Sequence, residues 1–205
     1  SEQDRADLFR LTSAKIGVIE ALVEKDFWVC VVLKTIFETP GLASSLLFKG
    51  GTCLSKVHDL IKRFSEDIDL IIDWRELGIS DDVAWEPERS ATQIDKFNAH
   101  MDSLARDYIA QKTVPALGGT LSANTGDRLT VSVDPNDGHT VLIKYPRAFP
   151  NPYLLESIKL EIGPRAARVP HERATIAPYA AREYPNVFKE PTFDVFAIMS
   201  ERTFW

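Results

Sequence analysis

The chain has 205 residues, 44% of them hydrophobic, and a formal net charge of −6 at pH 7, which suits one globular domain with its own core. The negative charge argues against a protein that coats nucleic acid over its whole surface, although it leaves room for a local basic patch. The sequence shows neither a signal peptide nor an apolar run of membrane-spanning length, and Cys30 and Cys53 lack metal-ligand spacing, so we expect a cytoplasmic protein with buried free thiols.

The N-terminal part of the chain is predicted to be helical. Apolar residues recur every three or four positions over residues 4–38, and the Thr-Pro-Gly sequence at residues 39–41 ends the run. The Glu-Lys-Asp sequence at residues 24–26 interrupts the apolar stripe. We interpret it as a capping and salt-bridging cluster at a junction between two helices.

The stretch Leu46–Ile72 has the pattern of a strand, a glycine turn, a helix and a second strand. Leu46–Phe48 is a short apolar run typical of a buried strand, and Gly50 and Gly51 allow a sharp turn after it. Thr52 is the predicted N-cap of the helix. Backbone N–H groups at the start of such a helix attract an anion such as a phosphate. The spacing is not that of a Walker loop.

Two acidic residues define the chemistry predicted for the second strand. Asp67 and Asp69 alternate with apolar residues, so both side chains lie on one face of the strand, about 7 Å apart. Two carboxylates at that separation can share divalent metal ions. The simpler alternative is a polar edge strand with two solvated acids. A phosphate-binding turn followed by metal-binding acids is what a nucleotidyl-transfer site requires.

The middle of the chain is predicted to contain a helix and a β-hairpin. Residues 73–87 are an expected loop, and residues 88–112 have a helical apolar stripe. Residues 114–124 look short and irregular. Two predicted strands at 128–133 and 140–145 flank an Asp-Pro-Asn-Asp-Gly sequence, which is typical of a hairpin turn.

A third acid lies in a further predicted strand at Ser157–Ile162, where Glu161 points away from the apolar face. Taken alone, Glu161 is typical of a surface acid; beside the strand of Asp67 and Asp69 it would complete a three-carboxylate site. The run Gly163–Arg173 is locally basic, which is typical either of phosphate binding or of an ordinary solvated loop. Thr192–Met199 is the last predicted strand.

Five motifs together carry a resemblance to a known family. The segments Gly50–Lys56 and Arg63–Leu70 resemble the signature of the AbiEii/AbiGii toxin family, which are nucleotidyltransferases of the polymerase-β-like superfamily related to the mycobacterial MenT toxins. Glu24–Val29 resembles the N-terminal helix of that family, and Ile158–Ile162 resembles its third-acid strand. Ser200–Trp205 resembles the segment that leads into a Glu-Lys pair.

The resemblance implies an α+β fold with a polymerase-β-like nucleotidyltransferase core, in which helices flank a mixed sheet. A single domain over residues 1–205 would consist of N-terminal helices at 1–40 and a catalytic core at 41–205. Relatives continue with a lysine just past the position of Trp205, so we expect a chain truncated at its C-terminus relative to the family. The resemblance also permits Lys25 or Asp26 to lie near an active cleft.

The activity that the resemblance implies is Mg²⁺-dependent transfer of a nucleoside monophosphate from an NTP to an RNA acceptor, tRNA in some relatives. The protein would be the toxin of a type IV toxin–antitoxin or abortive infection system, with an antitoxin as partner and no membrane. Asp67 and Asp69 would hold two Mg²⁺ ions, with Glu161 as third ligand or as base. The implied nucleotide-binding residues are Gly50, Gly51, Thr52, Ser55, Lys56 and Arg63.

Several alternatives remain open at this point. Lys56 is also typical of a solvated helix lysine, and Arg63 of a residue that braces Asp67 or Glu66. Glu66 lies on the opposite strand face from the acids, which indicates a structural role. The acceptor is alternatively a small molecule or a protein side chain. A last alternative is a non-catalytic fragment that binds nucleotide or antitoxin.

Overall fold

The protein is built on one mixed β-sheet, and the structure, a computed structural model, describes residues 1–61, 64–126, 128–164 and 170–200. Within those ranges the sheet has seven strands in the order β3-β4-β5-β2-β1-β7-β6. The strands are β1 (Leu46–Lys49), β2 (Asp67–Ile72), β3 (Thr130–Asp134), β4 (Asp137–Lys144), β5 (Ser157–Gly163), β6 (His171–Ile176) and β7 (Phe193–Ile198).

Helices precede, interrupt and follow the strands. They are α1 (Glu2–Ile16), α2 (Glu20–Glu38), α3 (Pro40–Ala43), α4 (Gly50–Lys56), α5 (Asp81–Ala84), α6 (Ala91–Tyr108), α7 (Val114–Thr125) and α8 (Tyr179–Glu183). The expected mixture of helices with a mixed sheet is confirmed. None of the helices in the described part of the chain is both long and apolar enough to cross a membrane.

The main hydrophobic core lies between one face of the sheet and a helical layer that includes α2 and α7. Ile68 and Leu160 on the central strands pack in one cluster with Val29 and Leu33 of α2 and Leu117 of α7, and all five are fully buried. Burying an aliphatic side chain of this size contributes about 1.5–3 kcal/mol. The core therefore fixes the central strands from one side, and the opposite face carries the predicted acids beside a smaller buried cluster of Leu47, Ile71 and Ile198.

The break between the first two helices lies earlier than predicted. Gly17, in a left-handed conformation with φ +73°, ends α1, and α2 then continues unbroken from Glu20 to Glu38. The predicted helix junction at residues 24–26 is therefore wrong. The charged run sits inside α2 and is buried, because each of its side chains has a partner on another element.

The prediction of irregular structure at residues 114–124 is also wrong, because these residues form α7. Pro115 lies in the first turn, where the missing N–H is tolerated. Leu117 and Leu121 are fully buried on one side of the helix, and this packing outweighs the unfavourable helix propensity of the two glycines. The expected loop at residues 73–87 contains short helical turns at Trp74–Leu77 and Asp81–Ala84.

The predicted hairpin and last strand are confirmed as β3–β4 and β7. The basic run behaves differently from a plain loop, because His171 and Arg173 lie in β6, and Arg173 pairs there with Asp194. Arg165 and Arg168 of that run lie outside the described residues. Cys30 and Cys53 are buried and free as expected, and burial raises the pKa of each thiol to about 12.

Candidate active site

The pairing of β2 with β5 brings the three predicted acids onto one face of the sheet. The two strands are parallel, and Asp69 is the register partner of Glu161. Asp67 lies two residues earlier on the same face, about 7 Å along the strand. The sequence placed Glu161 in a three-carboxylate site only if its strand lay beside that of Asp67 and Asp69, and β5 does lie beside β2. Thr140 of β4 continues the row, since it is the partner of Glu161 on the other side.

The glycine turn supports Asp69 directly. Gly50 has φ +75°, and a Cβ atom built on it would lie 1.8 Å from Oδ2 of Asp69. The carboxylate therefore occupies the space that any side chain at position 50 would need. The backbone N–H of Gly51 donates a hydrogen bond to the same carboxylate, which partly offsets the rise in its pKa caused by burial.

The two aspartates are held in an environment that disfavours their charged forms. Burial, followed by the charge of Glu161 against an opposing effect of Lys159, raises the pKa of Asp67. Burial also raises the pKa of Asp69, and Lys49 opposes that shift. Oδ1 of Asp67 is buried and has no hydrogen-bond partner among the residues that the structure describes. A buried, unpaired carboxylate oxygen beside two further acids is what a bound cation would satisfy.

The acids do not form a closed ligand cluster as they stand. In the described part of the chain, no three His, Cys, Asp or Glu side chains are grouped closely enough to hold a metal ion. The arrangement is a shared acidic face formed by Asp67, Asp69 and Glu161. Glu161 is 48% exposed at its side chain, and Nζ of Lys159 lies 3.6 Å from its Oε1.

The acidic face opens into a cleft of about 390 Å³. Two of its lining residues, Asp69 and Glu161, were predicted from the sequence, and several others were not. Lys49 is the register partner of Asp69 and directly precedes the two glycines, so its position beside the motif could have identified it as a cleft residue. Asp102 on α6 and the hairpin residues His139 and Thr140 lie far from the motif in sequence and offered no such signal. The polar lining includes Lys49, Asp69, Asp102, His139, Thr140 and Glu161.

The hydroxyl groups of Thr52 and Ser55, which were predicted to bind nucleotide, donate to backbone carbonyls of the protein itself. The residue that precedes α4 at its N-cap is Lys49, so the prediction that Thr52 is the N-cap is wrong. Thr52 is buried, and its hydroxyl donates to the backbone carbonyls of Ser65 and Asp67. The Ser55 hydroxyl donates to the carbonyl of Thr52 at 3.1 Å. Both side chains hold α4 together and fasten it to the start of β2.

Lys56 is placed in the interior, where neither the phosphate-binding nor the solvated interpretation puts it. Its Nζ lies 2.5 Å from Oδ1 of Asp26 and 4.7 Å from the centre of the Tyr179 ring. Burial is the largest single effect and disfavours the ammonium, but the charge and hydrogen bond of Asp26 together with Cys30 and Tyr179 outweigh it, so the pKa of Lys56 is raised. We therefore leave Lys56 out of the proposed phosphate site. Arg63 lies outside the described residues.

The two acids of the charged run in α2 fasten three separate segments to the helix. Glu24 accepts the backbone N–H groups of Ala148 and Phe149 at 2.8 and 3.0 Å. Asp26, besides pairing with Lys56, accepts the N–H of Tyr179 at 2.7 Å. The salt-bridging interpretation of this run is confirmed.

The third member, Lys25, connects the two strands that carry the acids. It is fully buried, pairs with Glu66 and donates to the carbonyl of Leu155 at 2.9 Å. Glu66 in turn accepts the N–H of Leu155 at 2.8 Å. Glu66 directly precedes β2, and Leu155 lies two residues before β5. The structural role predicted for Glu66 is confirmed, and we call these three residues the Lys25 clamp.

The fold and the site define an α+β protein with an acidic cleft beside a glycine turn. A family model described as nucleotidyl transferase AbiEii toxin, type IV toxin–antitoxin system, matches residues 31–205. The chain belongs to this family. No curated protein matches the chain.

Proposed function

We propose that the protein is a Mg²⁺-dependent nucleotidyltransferase that moves a nucleoside monophosphate from an NTP to an RNA acceptor, with tRNA as the first candidate. It acts as the toxin of a type IV system in the cytoplasm, with a cognate antitoxin as partner. The observation that carries the proposal is the pairing of Asp69 with Glu161 beside the Gly50 turn. Family membership supports a polymerase-β-like core for the sheet that holds this pair.

The donor set fits Mg²⁺. Carboxylate oxygens are the ligands that Mg²⁺ prefers, and the buried Oδ1 of Asp67 has no partner within the described residues. Asp67 and Asp69, with Glu161 beside them, would hold two such ions. When bound, the ions would neutralise triphosphate charge near the reacting phosphorus.

Positive groups at the β1 side of the cleft are suited to the phosphates. Lys49 lines the cleft, and the backbone N–H groups of Gly50 and Thr52 begin α4 next to it, whereas the N–H of Gly51 is directed at the Asp69 carboxylate. Unpaired N–H groups at a helix start favour an anion. We expect these groups to bind the β and γ phosphates and so to orient the NTP with its α phosphorus toward the acids.

Glu161 is suited to the proton transfer. It lies on the far side of Asp69 from Lys49, with a half-exposed side chain. In the proposed step, the acceptor hydroxyl oxygen bonds to the α phosphorus and its proton passes to Glu161. The bond from the α phosphorus to the bridging oxygen breaks, and pyrophosphate leaves with that electron pair.

The test is transfer of label from α-labelled NTPs to total RNA or total protein, comparing the unmodified chain with Asp69→Asn. We expect labelled RNA, and a loss of about 100-fold or more in the variant, because several kcal/mol of charge stabilisation would be removed. Asp95→Asn is the matched control, since Asp95 is an exposed acid on α6 outside the cleft lining.

Other outcomes would overturn parts of the proposal. Label found only in protein would exclude the RNA acceptor. Full activity of Asp69→Asn would exclude the acidic face as the site. Absence of transfer together with NTP binding by calorimetry would indicate a binding protein instead of an enzyme.

A further inference from the structure

The face of the sheet that carries the acids extends past them toward the β3 edge. Lys159 of β5 is the register partner of Asp67, and Leu142 of β4 is the partner of Lys159. Ser132 of the edge strand β3 is in turn the partner of Leu142. Side chains directly opposite each other on neighbouring strands lie on one face of a sheet. This row of residues is therefore continuous with the acidic face.

A second lysine lies on the same face, one step further along the strands. Lys144 follows Leu142 by two residues in β4, and strand residues two apart share a face. Its register partners are Ser157 on β5 and Thr130 on β3. Lys144 is therefore a diagonal neighbour of Lys159, with Cα atoms about 7–8 Å apart. We give the name lysine face to the four hydrogen-bond donors of this region, which are Thr130, Ser132, Lys144 and Lys159.

The lysine face is open to solvent in the described part of the chain. Thr130, Ser132 and Lys144 are exposed, and the side chain of Lys159 is 32% exposed. Ile143, next to Lys144 in β4, lies in the hydrophobic core on the opposite face and is fully buried. Ammonium and hydroxyl groups are side-chain donors that proteins place against phosphate oxygens.

Positive and negative charges are separated along the β3–β4 hairpin. Asp134 and Asp137 lie at its turn, where each carboxylate accepts a backbone N–H group. Lys144 lies at the open end of the hairpin. Lys159 lies between the lysine face and the catalytic acids, with its Nζ 3.6 Å from Oε1 of Glu161. This distance is longer than a hydrogen bond, so the contact does not use an N–H donor of the ammonium.

We propose that the lysine face binds the sugar-phosphate backbone of the acceptor RNA next to its reacting end. The RNA crosses β3 and β4, its phosphates contact Lys144 and Lys159, and its terminal hydroxyl reaches Glu161. Two observations favour RNA as the occupant: the positive charge complements a phosphate backbone, and the face is continuous with the proposed catalytic acids. This inference rests on the proposed function. Phosphate contacts carry no sequence information, so the face orients the acceptor without selecting its sequence.

The first experiment measures RNA binding without turnover. Fluorescently labelled total tRNA is titrated with the unmodified chain, Lys144→Gln and Lys144→Arg, without NTP and at several salt concentrations. We expect Lys144→Gln to weaken binding by about 5- to 10-fold at low salt. The slope of log affinity against log salt should become shallower by about 0.7–0.9, because one phosphate contact is lost. Lys144→Arg keeps the charge and should restore both quantities.

Lys189→Gln is the matched control for this experiment. Lys189 is an exposed lysine in the segment before β7, which lies on the other half of the sheet. The change should alter neither the affinity for tRNA nor its salt dependence. Because Lys144 is exposed as well, the thermal unfolding midpoints of all these variants should match that of the unmodified chain. A match excludes misfolding as the cause of weaker binding.

The second experiment follows transfer from an α-labelled NTP to total tRNA. Lys144→Gln should raise KM for tRNA by about the same factor as it weakens binding. KM for the NTP is the reference and should stay unchanged, because the triphosphate is expected at the β1 side of the cleft.

The outcomes separate this inference from the proposed function. Transfer to RNA by the unmodified chain, with affinity, salt dependence and KM unchanged in Lys144→Gln, overturns the inference and leaves the proposed function in place. Binding of tRNA that depends on Lys144, without any transfer, supports the lysine face as an RNA site and overturns the proposed activity. Label found only in protein, together with no binding of tRNA, overturns both.

Discussion

At the scale of single residues, Gly50 and Asp69 depend on each other. The positive φ of Gly50 is a conformation that other residues rarely adopt, and the Asp69 carboxylate occupies the place of the missing side chain. The glycine pair therefore does more than turn the chain toward a phosphate. It makes room for a metal-ligand candidate against the backbone.

Gly50→Ala is expected to reduce transfer about as strongly as Asp69→Asn does. The new methyl group would displace the carboxylate, and the left-handed conformation would cost roughly 1–2 kcal/mol of stability as well. Initial rates with labelled NTP, measured beside a denaturation curve, separate the two effects.

The control is Gly119→Ala in α7, where an added Cβ meets no atom of the described residues within 4 Å and φ is not positive. This change should leave the rate intact and stabilise the helix by about 0.5–1 kcal/mol. A Gly50→Ala variant with an unchanged rate would show that Asp69 does not need the position it occupies here.

At the scale of elements, the Lys25 clamp connects α2 to the approaches of β2 and β5. A buried ammonium loses solvation, and burial lowers the pKa of Lys25 despite the opposing effect of Glu66. Such a buried ion pair adds little net stability, because desolvation offsets the attraction between the charges. Removing one partner is nevertheless costly, because it leaves the other charge buried and uncompensated. We infer that the clamp helps to set the register in which Asp69 meets Glu161.

Lys25→Met is expected to destabilise the protein by about 3 kcal/mol, measured by chemical denaturation. The double variant Lys25→Met/Glu66→Gln should lose less than the sum of the two single changes, because the uncompensated charge on Glu66 disappears.

Lys15→Met is the comparison for the clamp, since Lys15 forms an exposed pair with Glu183 at 3.0 Å. It should cost less than about 1 kcal/mol. Equal effects of Lys15→Met and Lys25→Met would contradict a special role for the buried clamp.

At the scale of the whole molecule, the acidic face lowers stability near neutral pH. A carboxyl group with a raised folded-state pKa binds its proton more tightly in the folded than in the unfolded chain. Stability therefore falls as the pH rises through the unfolded and then the folded pKa, and the full penalty applies above the folded pKa. For Asp67, burial is the main cause of the raised pKa, and Glu161 adds to it.

Asp67→Asn should accordingly raise the thermal unfolding midpoint at pH 7 without Mg²⁺, although it removes a proposed ligand. The gain should disappear at about pH 3, where the carboxyl group of the unmodified chain is protonated in both states. Thermal scans at the two pH values check this, with Asp95→Asn as the neutral reference. A lower midpoint at pH 7 would mean that the Asp67 charge is already compensated within the protein.

Local pattern was enough to determine several parts of this protein. The alternation around Asp67 and Asp69 places both on one face, and turn-forming residues place the β3–β4 hairpin, because strand periodicity and turn geometry are properties of a few consecutive residues. The same reasoning failed for α7, where the burial of Leu117 and Leu121 outweighs the weak propensity of two glycines.

Contacts between distant segments were decided by the tertiary structure alone. β2 and β5 are far apart in sequence, and nothing local specifies that Asp69 will pair with Glu161. The same holds for Lys56, which looks like a surface lysine until Asp26 meets it in the interior, and for His139, which reaches the cleft because β4 lies beside β5. The sequence by itself determined which residues can do chemistry. The packing of the sheet against α2 and α7 decided which of them share a site, because pairing between remote strands depends on the whole core.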